Sequence, residues 1–388
     1  MSVTAPQGFV AAGVAAGLKS TGAPDVAVVV NQGPSQVAAA VFTGNRCKAN
    51  PVLWSEEAIK GGRAAAVAIN SGGANCYTGA EGFATTHRTA ELVADRLGVG
   101  AVDVQICSTG LIGLLNDRDA LLGGVGAALD DLSGDGGNAA ATAIMTTDTV
   151  AKQATARAED VGAAGWTIGG MAKGAGMLAP ALATMLVVVT TDADLDAATA
   201  DAALRAATAR TFDRLDSDGC QSTNDTVLLM ASGASGVTPD PESFTDALTT
   251  VCHDLAMQLL ADAEGADHEI AITVVGAATE DDALEVGRAV ARSNLFKCAI
   301  FGKDPNWGRI LASVGTTRAA FDPADLDVAL NDVWVCRSSG PGESPDTIDL
   351  EARAVSVTID LKSGDRSGTI WTNDLTQAYV HENSAYSS

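Results

Sequence analysis

The hydroxyl of Thr184 lies between two segments of contrasting composition. Residues 169–176 read GGMAKGAG, which predicts a flexible glycine-dense loop, and residues 185–189 read MLVVV, which predicts a buried strand. A hydroxyl held by a rigid strand next to a mobile backbone meets the requirements of a positioned nucleophile. Thr184 is therefore a candidate nucleophile. Its position alone leaves open the alternative that it is only a β-branched strand residue.

The sequence lacks the usual activators of a catalytic hydroxyl. It has no GxSxG, HExxH or GxxxxGK[ST] motif, and GAG at 174–176 is only part of a dinucleotide fingerprint. The four histidines are far apart in the chain, which is typical of surface or packing residues. A nucleophile here must bring its own base. Cutting the Ala183–Thr184 bond would supply one, because an α-amino group has a pKa near ~7.7–8.0 and can accept the hydroxyl proton.

Composition excludes several other classes of function. The 388-residue chain carries 24 basic and 48 acidic side chains, a net charge of −24 that repels phosphate backbones and argues against a nucleic-acid partner. It has no apolar run long enough to cross a membrane and no signal peptide at its start, so we expect a cytoplasmic protein. Seven scattered cysteines without a CxxC pair predict buried free thiols, with neither a disulfide framework nor a metal site.

Strands and helices that could position these residues alternate along the chain. Apolar runs predict strands at residues 26–30, 37–42, 64–70, 104–108, 185–189, 226–230, 269–275 and 354–361. Helical spacing predicts helices at residues 81–97, 117–132, 195–213, 242–263 and 280–293. This mixture indicates an α/β or α+β layered fold, and the length predicts two lobes or one large layered domain.

An ordered set of motifs from about residue 31 to the last residue carries a family resemblance. The motifs are VFTGNRCKANPV (41–52), AINSGGANCYTG (68–79), STGLIG (108–113), MTTDT (145–149), KGAGMLAPALATML (173–186), STNDT (222–226), AEGA (263–266), GKDPNWGRI (302–310) and NDLTQAYVHENSAYSS (373–388). Each motif is weak alone, but their order is specific. The sequence resembles the ornithine acetyltransferase family, also called glutamate N-acetyltransferase, of arginine biosynthesis.

The resemblance implies a self-processing enzyme with an N-terminal-nucleophile-like αββα architecture. The precursor would cleave itself between Ala183 and Thr184 into an α chain, residues 1–183, and a β chain, residues 184–388, which assemble as an α2β2 heterotetramer. Thr184 would take the acetyl group of N2-acetyl-L-ornithine and pass it to L-glutamate in a ping-pong reaction. No metal or organic cofactor is implied. Some family members also use acetyl-CoA as a donor, and no residue here decides between the two cases.

The resemblance also assigns roles to other residues of this sequence. Thr109 and Gly110 would stabilise the oxyanion of the tetrahedral intermediate, at the end of the strand predicted over residues 104–108. Lys173 would supply a local cation for the substrate carboxylates against the acidic field of the protein. Glu264 would anchor a substrate amino group or order the site.

Three further substrate contacts are implied. One comes from the MTTDT motif, where Thr147 is the first choice and Thr146 and Thr149 remain alternatives. The other two are Asn383 and Ser388 in the C-terminal tail. If the tail contributes to the site, removing its last residues should raise KM or abolish activity, whereas an unanchored terminus would tolerate the change.

Two other interpretations of the sequence remain open. An N-terminal-nucleophile aminopeptidase or amidase would use the same Thr184 and the same oxyanion donors, but would let water take the acyl group. A non-enzymatic scaffold would leave Thr184 a purely structural residue and the chain uncut.

Overall fold

The chain forms two compact units, of which the computed structural model describes residues 2–158, 165–176 and 185–385. Unit 1 contains the described residues up to 213 together with 221–259, and unit 2 contains residues 214–220 and those from 260 onward. The predicted cleavage point at 183/184 does not separate these two units, because both predicted chains contribute strands to unit 1.

The described residues form fifteen strands and ten α-helices. The strands are β1 (Phe9–Val14), β2 (Val26–Asn31), β3 (Val37–Phe42), β4 (Ala66–Asn70), β5 (Val104–Ser108), β6 (Lys152–Ala158), β7 (Trp166–Lys173), β8 (Leu186–Thr191), β9 (Thr226–Ala231), β10 (Glu269–Ala277), β11 (Asp327–Leu330), β12 (Val333–Arg337), β13 (Gly340–Pro341), β14 (Ala354–Asp360) and β15 (Arg366–Asn373). The helices are α1 (Asn50–Ala58), α2 (Gly79–Leu97), α3 (Arg118–Asp130), α4 (Gly137–Ala143), α5 (Ala197–Arg210), α6 (Pro241–Ala261), α7 (Glu280–Ala291), α8 (Asn294–Phe301), α9 (Trp307–Val314) and α10 (Gln377–Ala385).

Unit 1 contains two sheets that face each other across a shared apolar core. The first has the strand order β1-β2-β4-β5 and the second β3-β9-β8-β7-β6. Side chains on alternate positions of each strand meet in this core, for example Val29 and Ile69 from the first sheet with Val188 and Leu228 from the second. Each sheet therefore buries one face against the other and needs helices to cover its outer face.

Helices cover both outer faces of the pair of sheets. Residues of α2 and α3 pack against the first sheet, including Val93 and Val125. On the second sheet, Trp166 of β7 stacks on Phe244 of α6 with ring centroids 5.3 Å apart. Unit 1 is thus a helix–sheet–sheet–helix sandwich, and the predicted αββα layering is confirmed.

Unit 2 is built on a six-stranded sheet with the order β13-β12-β11-β14-β10-β15. Strand β10 pairs in parallel with β14 and antiparallel with β15. Helix α7 packs on this sheet through Val286 and Val290, which share a core with Ile272 and Ile370. Gly287 permits this close approach, because a Cβ atom there would lie 2.8 Å from Cγ1 of Ile370.

One sequence prediction was wrong at the site itself. Residues 169–173 do not belong to a flexible loop; they form the end of β7, a buried strand paired on both sides. The glycines are needed for packing, since a Cβ atom on Gly169 would lie 2.1 Å from the carbonyl oxygen of Ser2. On Gly170 it would lie 2.9 Å from Cδ1 of Leu255. Within the predicted loop, residues 169–176, only residues 174–176 lie outside the strand.

The thiol prediction was right in one respect and wrong in another. All seven cysteines are free, as expected. Cys76, Cys107, Cys252 and Cys336 are buried, whereas Cys47, Cys220 and Cys298 are exposed.

In the described part of the chain, no helix is both long and apolar enough to cross a membrane.

Candidate functional site

The two strands that flank the predicted nucleophile region end at the same edge of the second sheet. Lys173, the last residue of β7, pairs with Leu186, the first residue of β8. The predicted cleavage site, Ala183 and Thr184, falls in the interval between these strands and lies outside the described residues, as does Ser388. The structure therefore describes the residues at the ends of β7 and β8 that flank the predicted nucleophile.

A buried cluster of opposite charges lies at the end of β7. Lys173 donates a hydrogen bond from Nζ to the Thr109 hydroxyl, at 3.3 Å, and its Nζ lies 3.9 Å from Oδ2 of Asp148. Oδ1 of Asp148 accepts from Nζ of Lys152 and from the Gly174 amide, each at 2.7 Å. Burial disfavours the charged carboxylate, but the two ammonium groups and the amide outweigh it and lower the pKa of Asp148 to about 2. Asp148 therefore carries a full negative charge at neutral pH.

The same carboxylate anchors the MTTDT segment. Oδ2 of Asp148 accepts a hydrogen bond from the Thr146 amide at 2.9 Å. Thr146 is half-buried, while Thr147 and Thr149 are exposed. The structure thus brings this segment to the end of β7. The choice of Thr147 for substrate contact remains a prediction.

Lys19 is a third cation near the end of β7, and the sequence did not predict it. Its Nζ donates to the carbonyl oxygen of Met145 at 2.7 Å, next to the MTTDT threonines. The loop that carries it is held by the fully buried Asp25, whose carboxylate accepts the amides of Ala16, Leu18 and Lys19. Burial lowers the pKa of Lys19. No sequence pattern distinguishes this lysine from a surface residue.

Thr109 and Gly110 follow β5 directly, and the structure shows which of their donor groups are already used. The Thr109 amide is already used, because it donates to the Asn70 carbonyl oxygen at 2.9 Å. Among the described residues, the Gly110 amide donates to no partner. Gly110 has a φ of +128°, and a Cβ atom there would lie 2.8 Å from Cα of Gly73. The Thr109 hydroxyl and the Gly110 amide are therefore the two donors that an oxyanion could use.

Three asparagines hold the Thr109–Gly110 turn in place. Nδ2 of Asn224 donates to the carbonyl oxygens of Ser108, at 2.8 Å, and Ala74, at 2.6 Å. Nδ2 of Asn116 donates to Oδ1 of Asn70 at 3.1 Å. All three asparagines are buried. Asn70 and Asn224 belong to motifs that carried the family resemblance, but their role as internal braces was not visible from the sequence.

The predicted acidic residue Glu264 lines a separate cavity within unit 2. The cavity has a volume of about 270 Å³ and is also lined by Asp218, Lys297, Asn373 and Tyr379, among others. Glu264 is half-buried there. The cavity therefore presents carboxylates that could pair with a cationic group, together with the cations Lys297 and Arg292.

The turn after Glu264 is packed tightly against α10. Gly265 has a φ of +61°, and a Cβ atom there would lie 2.3 Å from the Tyr379 amide nitrogen. The hydroxyl of Thr376, just before α10, donates to the Gly265 carbonyl oxygen at 2.5 Å. Asn383 lies one turn further along α10, is exposed, and donates from Nδ2 to the Tyr379 carbonyl oxygen at 3.0 Å. The fold thus brings Glu264 and the helix that carries Asn383 together.

The described residues contain no group of three or more His, Cys, Asp or Glu side chains that could hold a metal ion. In unit 1 they contain groups that can bind an anion: the buried ammonium groups of Lys152 and Lys173, the Thr109 hydroxyl and the Gly110 amide. Unit 2 contains a cavity with carboxylates for a cationic group.

Comparisons with known proteins identify the family to which the chain is similar. The model of the ArgJ family matches residues 10–388. The chain is 61% identical over 388 residues to the arginine biosynthesis bifunctional protein ArgJ of Streptomyces coelicolor and 60% identical to that of Thermobifida fusca, covering 100% of both chains in each case. It is 54% identical to a chain in the crystal structure of ornithine acetyltransferase from Mycobacterium tuberculosis complexed with ornithine. That similarity covers 46% of this chain and 94% of the other, with a TM-score of 0.45.

Proposed function

This chain is a member of the ArgJ family, and from that premise we propose how its residues carry out the ornithine acetyltransferase reaction of arginine biosynthesis. The observation that carries the proposal is the contact of buried Lys173 with the hydroxyl of Thr109, the residue that precedes Gly110. These donors lie in the unit whose strands β7 and β8 flank the predicted nucleophile Thr184.

The first step is self-cleavage. The Thr184 hydroxyl oxygen attacks the Ala183 carbonyl carbon, the peptide C–N bond breaks, and the Thr184 nitrogen takes up the hydroxyl proton. Water then hydrolyses the resulting ester, leaving a carboxylate on Ala183 and a free α-amino group on Thr184. That amino group is the base for the later steps.

The second step is acetyl transfer in two halves. Thr184 attacks the acetyl carbonyl of N2-acetyl-L-ornithine, ornithine leaves, and an acetyl ester remains on the threonine. The amine of L-glutamate then attacks the ester and releases N-acetylglutamate. Each half passes through an oxyanion that the Thr109 hydroxyl and the Gly110 amide stabilise, and a single such donor is worth roughly 3–4 kcal/mol.

Binding of both substrates follows from their charges. Their α-carboxylates require a cation, which Lys173 supplies at the end of β7, and Thr147 adds a polar contact from the segment anchored by Asp148. The amino group of ornithine suits the carboxylate of Glu264 in its cavity. Asn383 and Ser388 complete the substrate contacts from the C-terminal segment. The bifunctional character of the curated relatives supports acetyl-CoA as a second donor for this chain.

Cleavage would leave the two chains associated. Strand β7 of the α chain pairs with β8 of the β chain along six residue pairs, from Ile168–Thr191 to Lys173–Leu186. Such a shared sheet holds the pieces together without a peptide bond, which supports an αβ pair as the working unit. We place two such pairs in an α2β2 heterotetramer located in the cytoplasm.

The test is electrospray mass spectrometry of the purified protein before and after a pulse of N-acetylornithine. We expect two fragments that meet at 183/184 and an acetyl adduct on the fragment that begins with Thr184. Thr184→Ala should remain one chain and lose activity, whereas an uncut but fully active Thr184→Ala protein would remove the mechanism. Ornithine release that ignores added glutamate would instead identify an amidase that uses the same residues.

A further inference from the structure

A buried carboxyl group holds the residue that follows the predicted nucleophile. Oδ1 of Asp225 accepts a hydrogen bond from the Met185 amide at 2.8 Å. The next amide, that of Thr226, donates to the Met185 carbonyl oxygen at 3.1 Å. Both backbone groups of Met185 are thus fixed by the start of β9, the strand that runs parallel to β8.

The Asp225 carboxyl is unusual in its surroundings. It is fully buried, and its Oδ2 has no hydrogen-bond partner among the described residues. Burial raises the pKa of Asp225 well above its usual range, although the Met185 amide, the Ser222 hydroxyl and the charge of Lys173 oppose the shift. Burial therefore favours the neutral form of this carboxyl, whereas the ammonium partners of Asp148, in the same unit, favour its charged form.

We propose that Asp225 is the positioning residue of the nucleophile: its Oδ1 holds Met185, and through it the adjoining Thr184, in register for self-cleavage and acetyl transfer. This inference rests on the proposed function. Asp225 exchanges no atom with the substrate in either step. Its contribution is geometric, because the reacting oxygen and the carbonyl carbon must meet within narrow limits, and a displacement of about 1 Å can cost roughly 100-fold in rate.

Two variants of Asp225 test the role of its acceptor oxygen and the role of its ionisable proton separately. Asp225→Asn keeps a carbonyl oxygen that can accept from the Met185 amide and replaces the ionisable hydroxyl with an uncharged NH2 group. Because it keeps the acceptor of the Met185 amide, this variant should cleave and turn over close to wild type, with an unchanged pH profile. Asp225→Leu removes the acceptor and should slow both cleavage and kcat roughly 100-fold while KM stays unchanged.

The experiment follows cleavage by intact mass over time and measures kcat per acetylated Thr184 in the cleaved fraction. Asp192→Leu is the matched control, because Asp192 is a buried carboxylate of unit 1 that also accepts backbone amides, those of Gln7 and Thr167. It should lose stability but, once folded, cleave normally. Thermal unfolding of every variant accompanies the rates.

Two results would overturn the proposal. One is Asp225→Leu cleaving and turning over like wild type. The other is Asp225→Asn failing as badly as Asp225→Leu, which would mean that the proton or charge matters. If Asp225→Leu does not fold, Asp225→Asn still decides between acceptor and charge. Failure of the wild-type chain to cleave at 183/184 would sink the proposed function instead, so the two failures are distinguishable.

Discussion

Two buried carboxylates, Asp148 in unit 1 and Asp216 in unit 2, respond to burial in opposite ways. Both side chains are completely buried. The pKa of Asp148 falls to about 2, whereas burial raises that of Asp216 to about 6 against the opposing charges of Arg292, Arg288 and Lys297. Burial is therefore not the feature that distinguishes them.

The difference lies in the partners. Asp148 contacts Lys152, whose side chain is 0% exposed, and a second buried lysine, Lys173. Asp216 accepts from Nε of Arg292, whose side chain is 48% exposed, and its Oδ1 has no partner among the described residues. Water screens a half-exposed guanidinium, so its attraction does not repay the desolvation of the carboxylate. Both carboxyl groups are mainly ionised at neutral pH, but only Asp148, which contacts two buried lysines, has its pKa lowered below the usual value.

The largest effect is expected when the cluster of unit 1 loses its anion. Asp148→Asn removes the carboxylate that contacts the buried ammonium groups of Lys152 and Lys173, and we expect the free energy of unfolding to fall by about 3–5 kcal/mol. Urea unfolding measures this loss. Adding Lys152→Met to Asp148→Asn should recover part of it. A loss below about 1 kcal/mol, the size of an ordinary substitution, would show that the cluster is not balanced as described.

The next effect concerns the cation that this cluster holds. Lys173→Met removes the donor to the Thr109 hydroxyl, so kcat/KM for acetyl transfer should fall roughly 10²–10³-fold. Steady-state kinetics on folded, cleaved enzyme provide the measurement. Lys303→Met is the control, because Lys303 is an exposed lysine paired with Glu351 in unit 2. Equal activity of the two variants would show that Lys173 is only structural.

The smallest effect distinguishes the two carboxylates by pH. Because the folded-state pKa of Asp216 is raised, its contribution to stability is complete below about pH 3.8 and is lost as the pH rises through about 6. Asp216→Asn should flatten this dependence, which amounts to at most about 3 kcal/mol. Asp148 behaves oppositely, since its contribution is present above about pH 3.8 and is lost toward pH 2. The free energy of unfolding is measured between pH 4 and 7 for wild type and Asp216→Asn. If it changes with pH by the same amount in both proteins, the assignment is contradicted.

The fold could be predicted from sequence where strands are rich in apolar and β-branched residues. All eight predicted strands and all five predicted helices are present, with ends shifted by a few residues. Strand β6 was missed because its sequence, KQATARA, alternates polar and small residues instead of forming an apolar run. Strand β7 was mistaken for a loop because its glycines, which packing requires, resemble those of a flexible segment.

For the site, the sequence by itself determined the family, the chemistry expected of Thr184 and the residue types around it. Only the tertiary structure decided that Lys173 is a buried partner of Thr109, 64 residues away in the chain. It also decided that Asp148, Lys19 and Asn224 hold the backbone around this contact, through Gly174, Met145 and Ser108, respectively. Local patterns of hydrophobicity specify strands and helices. Contacts between distant residues arise from how sheets pair and stack, so the charge state of a buried carboxyl can be assigned only after its neighbours are known.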